Sequence, residues 1–250
     1  MIVLITGATA GIGKATAFFF AKNGYNVIIT GRRKEHLEKF SKELKVNYKI
    51  DVLSLNFDVS NLLEVEKAIK TLPDKWSKIN VLVNNAGLAV GLNAIQEGII
   101  DDWERMINTN IKGLLYITRT LTPIMIQNGY GHIINIGSIA GKEVYANGNV
   151  YCATKHAVDA LNKAMRIDLL AHNIKVTAIN PGMVETEFSI VRFKGNEEKA
   201  KNAYKGLKPL TPEDIAETIY WAASRPSHVN INEITIMPSV QANATTTIRK

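Results

Sequence analysis

Seven apolar, β-branched runs recur along the chain with amphipathic stretches between them, and this alternation narrows the fold more than any other feature. The runs are IVLIT (2–6), NVIITG (26–31), DVLSLNF (51–57), NVLVNNA (80–86), HIINIGS (132–138), KVTAINP (175–181) and EITIMP (233–238). Helical periodicity fills roughly 12–23, 33–45, 61–71, 103–128, 149–172 and 211–224. Strands that alternate with helices join through right-handed crossovers, so the pattern predicts an α/β fold with a parallel sheet covered by helices on both faces. The strands read as nearly continuous apolar runs, as burial on both faces requires.

No linker rich in Pro, Gly or Ser divides the chain and no repeat is visible, so residues 1–250 are expected to form one domain. The least regular segment, 182–210, follows the sixth strand and is polar, interrupted and long, which marks it as a candidate substrate flap. The tail QANATTTIRK leaves two readings open: disorder, or packing on another subunit.

Composition excludes several classes. Hydrophobic residues make up 46% of the chain and charged residues 21%, as in an ordinary globular enzyme. No run of about 18 apolar residues exists, so no membrane span is expected. The apolar start MIVLITGATAG reads as a first strand and lacks the basic flank of a signal peptide. A single cysteine, Cys152, cannot form an internal disulfide, which points to a reducing cytoplasm. The net charge of +7 fits either a solvated lysine-rich surface or attraction of small phosphorylated anions. No basic run is interleaved with aromatic residues, so no nucleic-acid partner is expected. The five histidines are scattered without metal-ligand spacing, so no metal is expected.

Between the first strand and first helix lies TGATAGIGKATAFFFAKNG. Gly7, Gly11 and Gly13 in this turn permit positive φ and a close backbone approach to a pyrophosphate, which the free N–H groups of a helix N-terminus stabilise. Thr9, Ala10 and Ile12 belong to the same candidate cradle. The spacing is G-x3-G-x-G rather than G-x-G-x-x-G, and a simple packing turn is the alternative.

The second strand runs into TGRRKEHLEKF. An acidic residue near this point serves the ribose 2′-OH of NAD, whereas arginine accommodates the 2′-phosphate of NADP. Here Arg32 and Arg33 precede the first acid, Glu35, so NADP(H) is the expected cofactor. Three positive charges at a helix start oppose its dipole, at roughly a few tenths of a kcal/mol each, and a docked anion removes that conflict. Asp58 and Val59 end the third strand, placed either to meet an adenine ring or, for Asp58 or Ser60, to cap a helix. Asn84 to Gly87, NNAG, closes the fourth strand, where amides such as that of Asn85 line a cofactor cleft, hold sheet edges together, or do both.

The stretch VYCATKHAVDALNKAMRIDLL puts Tyr151 and Lys155 one helical turn apart on one face. At a separation of about 5 Å and an effective dielectric near 20, their attraction in the phenolate form is about 3 kcal/mol, or roughly two pKa units. The phenol is then expected to titrate near enough to neutrality to act as acid and base beside a hydride-transferring cofactor. Ser138, closing the fifth strand, can donate to a substrate oxygen where charge develops. Asn110, within MINTNIKGLLYITR, is an amide in a stretch suited to a buried helix, and one use for it is to hold a water that links Lys155 to solvent. Singly, these residues also fit surface decoration, a turn and a helix kink.

Taken together, TGATAGIG, NNAG, Ser138, YCATK and Pro181–Gly182 make the chain resemble a short-chain dehydrogenase/reductase over essentially its whole length. The resemblance implies a Rossmann-type doubly wound sheet, catalysis by Asn110, Ser138, Tyr151 and Lys155, and a homotetramer. It also implies that Pro181, Gly182, Val184 and Thr186 wrap the nicotinamide side. The segments PGMVETEFSIVRFKGN, PLTPEDIAETIYWAASRPSHVNIN and MPSVQA are similar to the branch of NADP-dependent 3-hydroxy acid dehydrogenases, which includes serine 3-dehydrogenase, allo-threonine dehydrogenase and malonic semialdehyde reductase activities. A small hydroxy acid bound at Ser138 and Tyr151 needs its carboxylate recognised, and Arg192 is a candidate; a surface arginine, or one paired with Glu185 or Glu187, is the alternative. A carbonyl reductase for bulkier ketones and a non-catalytic NADP sensor are the competing readings.

Overall fold

The computed structural model describes all residues 1–250. Seven strands form one parallel sheet: β1 (Ile2–Ile5), β2 (Asn26–Gly31), β3 (Val52–Asn56), β4 (Val81–Asn84), β5 (Gly131–Ile136), β6 (Ile174–Pro181) and β7 (Glu233–Ile236). Their order is β3-β2-β1-β4-β5-β6-β7, with Ile5 opposite both Ile29 and Val83. The winding reverses between β1 and β4, which opens a crevice at the carboxyl ends of these two strands.

Period-two alternation sends neighbouring apolar residues to opposite faces of the sheet. Val3, Ile5, Val27 and Ile29 pack against α1 (Gly11–Lys22), α2 (Lys34–Tyr48) and α9 (Pro212–Ala223) through Phe20, Leu44 and Ile219. Ile2, Leu4 and Ile28 face the other way, onto α3 (Leu62–Lys70), α5 (Leu114–Gln127) and α6 (Asn149–Asp168), where Val65, Leu121 and Val158 meet them. Each such aliphatic side chain contributes about 1.5–3 kcal/mol when fully buried. The expected single domain with a doubly covered parallel sheet is what forms. No helix is long and apolar enough to cross a membrane.

Three local features depart from the sequence reading. The helix expected over 103–128 is composite: α4 (Ile100–Ile107) passes through a π-helical stretch at Asn108–Gly113 before continuing as α5. The flap contains two short helices, α7 (Glu187–Arg192) and α8 (Glu197–Asn202), started by Thr186 and Asn196 accepting backbone N–H bonds. Its polar composition hid them because each is only six residues long. The tail is ordered against its own chain: Gln241 Oε1 accepts from the Met183 amide at 2.9 Å, and the Lys250 amide donates to the Gly206 carbonyl at 2.7 Å.

Candidate active site

The glycine turn leads from β1 into a helix whose N-terminus is left open. Gly7 and Gly11 have φ of +65° and +50°, as the sequence requires of them. A Cβ on Gly13 would overlap the Asn85 amide and the Gly7 carbonyl. Asn85 in turn donates to the carbonyls of Thr6 and Gly7 at 2.8 and 3.2 Å, so it holds the turn in shape. At α1, Ala10 supplies no side-chain cap and the first turn carries no acid. The unpaired N–H groups and the positive dipole end face a cavity of about 770 Å³, lined by Thr9, Ala10 and Ile12 among others.

Arg32, Arg33, Asp58 and Val59 line the same cavity. Arg33 donates to Thr9 Oγ1 through Nη2 at 2.9 Å and Nε at 3.2 Å, and to Glu187 Oε2 at 3.1 Å. Arg32 Nη1 lies 3.4 Å from Asp58 Oδ2. Neither Asp58 nor Ser60 caps the next helix, since Asn61 does so. Asp58 instead accepts from the Ser60 amide and hydroxyl at 2.9 and 2.7 Å. Burial works to raise its pKa, but the Ser60 hydrogen bonds and the Arg32 guanidinium hold it below the ordinary value. Asn84 is interior to the sheet layer, donating to Thr118 Oγ1 and Asn135 Oδ1 at 2.9 Å each, so the two amides of NNAG have separate duties.

Across the crevice, Ser138, Tyr151 and Lys155 line the cavity together. Ser138 leaves β5 in extended backbone and its Oγ accepts from the Ala140 amide at 3.1 Å. Tyr151 and Lys155 lie in α6, both buried. Lys155 Nζ donates to the Ile136 carbonyl at 2.9 Å and stands 6.0 Å from the Tyr151 ring centre. Burial pulls the lysine down to about 8. The expectation of a phenol lowered by its lysine is corrected here. Burial pushes Tyr151 above its ordinary value and Tyr145 adds to the rise, while the Ser138 hydroxyl and the Arg192 guanidinium oppose it. Desolvation outweighs the charges because most of the ring is buried.

Asn110 does not line the cavity. Its Oδ1 accepts from the Leu88 amide at 2.8 Å, and its Nδ2 donates to the Leu88 carbonyl at 2.8 Å and to Thr154 Oγ1 at 3.0 Å. Thr154 passes the link to the Tyr151 carbonyl at 2.8 Å. These contacts of the Asn110 amide bracket one backbone residue, Leu88. The π turn is what lets this side chain leave the helix face toward Leu88.

The flap closes the far side. Pro181, Gly182, Val184 and Thr186 line the cavity, and a Cβ on Gly11 would sit 3.3 Å from Thr186 Cγ2. Arg192, at the end of α7, pairs with neither Glu185 nor Glu187. Its Nη2 donates to the Tyr145 hydroxyl at 2.8 Å, its Cζ lies 5.2 Å from the Tyr145 ring and 5.6 Å from the Tyr151 ring, and its buried Nε has no partner. Phe188 meets the Tyr151 ring edge-on at 5.7 Å. Tyr145, Phe188 and Gln241 are cavity residues that the sequence did not single out. Only Tyr145 carried a signal, since the short loop from Ser138 back to Tyr151 must cover the cavity mouth.

A glycine cradle at the switch point of a parallel sheet, facing a serine, a tyrosine and a lysine, defines an oxidoreductase that uses a dinucleotide. The chain belongs to the short-chain dehydrogenase family, whose pattern matches residues 1–197. It is 50% identical over 245 residues to the NADP-dependent 3-hydroxy acid dehydrogenase YdfG of Salmonella typhi, covering 98% of this chain and 97% of that one. Serine 3-dehydrogenase of Agrobacterium fabrum is 46% identical over 242 residues, covering 97% and 95%. The closed form of serine dehydrogenase complexed with NADP+ superposes with a TM-score of 0.93 at 45% identity, covering all of both chains.

Proposed function

We propose that the chain transfers a hydride between NADP(H) and a small 3-hydroxy acid or its 3-oxo partner, the class of L-serine, L-allo-threonine and 3-hydroxypropionate. The observation that carries this reading is the convergence of Ser138, Tyr151, Lys155 and Arg192 on one cavity with the open end of α1. The residues fit NADP: the glycine cradle and uncapped helix suit a pyrophosphate, and Arg32 and Arg33 suit a 2′-phosphate. Gly7, Thr9, Ala10, Gly11 and Ile12 would hold the diphosphate, Asp58 and Val59 the adenine, and Asn85, Tyr151, Lys155 and Pro181 to Thr186 the nicotinamide half. When bound, NADP supplies the hydride acceptor or donor.

The chain handles the proton. The Ser138 hydroxyl holds the substrate oxygen, and Tyr151 gives a proton to that oxygen or takes one from it. A raised pKa keeps the phenol neutral and ready to donate at neutral pH. Acting as a base, it relies on the cations around the ring, Lys155 and Arg192. Lys155, titrating near 8, exchanges protons easily at working pH. Asn110 acts through Leu88 and Thr154, which makes it a positioning residue for this wall. Arg192 lines the cavity beside Tyr151 and is the cation to take a substrate carboxylate, which favours hydroxy acids over the apolar ketones of a carbonyl reductase.

A homotetramer, a cytoplasmic location and the lack of a nucleic-acid partner belong to the same proposal. Exposed Leu115 on α5, Ile167 on α6 and Leu170 just beyond it offer apolar contact surface for further subunits, and unpaired Cys152 suits a reducing compartment. The deciding experiment is a panel of L-serine, L-allo-threonine, 3-hydroxypropionate and apolar secondary alcohols, each with NADP and NAD. Preference for the alcohols, or for NAD, refutes the reading.

A further inference from the structure

An ion pair near the cavity wall, between a buried carboxylate and a half-exposed lysine, has no part in the proton chemistry. Asp102 lies in the first turn of α4 with its side chain 5% exposed. Its Oδ2 is 2.7 Å from Lys194 Nζ, a close charge contact without hydrogen-bond alignment, and no donor hydrogen-bonds that oxygen. A carboxylate withdrawn from water needs a charged partner, and this one finds it across the molecule, just beyond α7.

The backbone at Lys194 carries a second, independent signal. Lys194 has φ of +54°, the left-handed position that closes a helix and ordinarily holds glycine. Its amide donates to the Val191 carbonyl at 3.1 Å, and the Gly195 amide donates to the Ile190 carbonyl at 2.8 Å. A side chain at such a site costs conformational free energy that glycine avoids, so the ammonium is what a lysine here adds. The Arg192 carbonyl, two residues earlier, accepts from the Gly91 amide at 3.0 Å. A Cβ on Gly91 would in turn lie 3.0 Å from Asp102 Oδ2. Carboxylate, glycine and helix end therefore meet at one place.

We propose that Asp102 and Lys194 are positioning residues whose ion pair, with the Gly91–Arg192 backbone bond, fixes the end of α7 and so holds the Arg192 guanidinium against Tyr145 and Tyr151. The pair thereby sets the preference for anionic substrates; this rests on Arg192 being the carboxylate partner.

The test is steady-state kinetics of the full chain with saturating NADP. Lys194→Gly removes the ammonium and suits the left-handed backbone. It is expected to raise KM for 3-hydroxypropionate about tenfold with kcat changed less than about twofold, and to leave KM for an apolar secondary alcohol nearly unmoved. Lys194→Arg, which keeps the charge, restores most of the loss, and Asp102→Asn repeats the split. A parallel rise in both KM values overturns the proposal. Unchanged acid KM in Lys194→Gly, with a raised one in Arg192→Ala, overturns the positioning role alone. Unchanged acid KM in both overturns it together with the reading of Arg192.

Discussion

Arg33 joins the glycine turn to the flap: the guanidinium that bonds Thr9 after β1 also bonds Glu187 at the start of α7. The 2′-phosphate proposed to bind at Arg33 would meet a carboxylate already in place. The pair is exposed, 42% and 57% at the two side chains, so its strength is small. Glu187→Gln is expected to tighten NADP by a few fold, about 0.5–1 kcal/mol, with little change for NAD. Fluorescence titration decides the matter, and weaker NADP binding would mean that Glu187 orients Arg33 rather than competing for it.

Arg32 and Arg33 are the residues proposed to set cofactor choice. Arg32→Asp with Arg33→Ala is expected to weaken NADP at least about tenfold while NAD is spared, since only NADP carries the extra phosphate. Calorimetry with both dinucleotides checks this, and retained NADP affinity would move the 2′-phosphate site elsewhere.

Tyr151→Phe removes one oxygen from a packed ring and leaves its contacts with Phe188. Turnover is expected to fall by about 10²–10⁴, the usual contribution of a positioned proton donor, with NADP affinity retained. Activity within a few fold of the natural chain would reassign the proton to another group.

Asn110→Ala leaves the Leu88 amide and carbonyl without their partners. Buried unpaired groups cost about 1–3 kcal/mol, so the melting temperature should fall. Because Asn110 also reaches Thr154, kcat is expected to fall more than KM rises. A stability loss with unaltered kinetics would limit Asn110 to the scaffold.

Acid stability should carry the mark of His132. Burial pushes its pKa to about 3 from the ordinary 6.5, and the Lys175 ammonium works in the same direction. The unfolded chain takes up the proton first, so stability is lost as pH drops below 6.5 and continues to fall toward 3. Between about pH 7 and about pH 5 this site alone accounts for about 2 kcal/mol. Urea unfolding of the natural chain and His132→Gln at both pH values tests it: the variant should lose less, and equal losses would clear His132.

What the sequence disclosed depended on how local the information was. The strands, the glycine turn and Tyr151–Lys155 are short-range patterns, legible because steric rules and one helical turn define them. Ser138 was legible as the end of a strand. Asn110 was found as a buried amide, but its partner Leu88 was not, because their contact depends on a π turn that apolar periodicity does not register. The alternatives for Arg192 stayed open because choosing Tyr145 over Glu187 is a tertiary event. The sign of the Tyr151 shift was misjudged for a related reason: spacing gives the distance to a lysine but not the degree of enclosure.

At Asn108–Gly113 the helix winds wider than the turns on either side. Chain length in this stretch is therefore as constrained as residue type. Deleting a single residue would let the flanking helices merge into one regular rod with their relative phase nearly kept, because the wide turn takes up about one extra residue, but the turn that carries Asn110 off the helix face would be lost. Asn110 would then swing off Leu88, so this helix should tolerate many point changes yet almost no insertion or deletion.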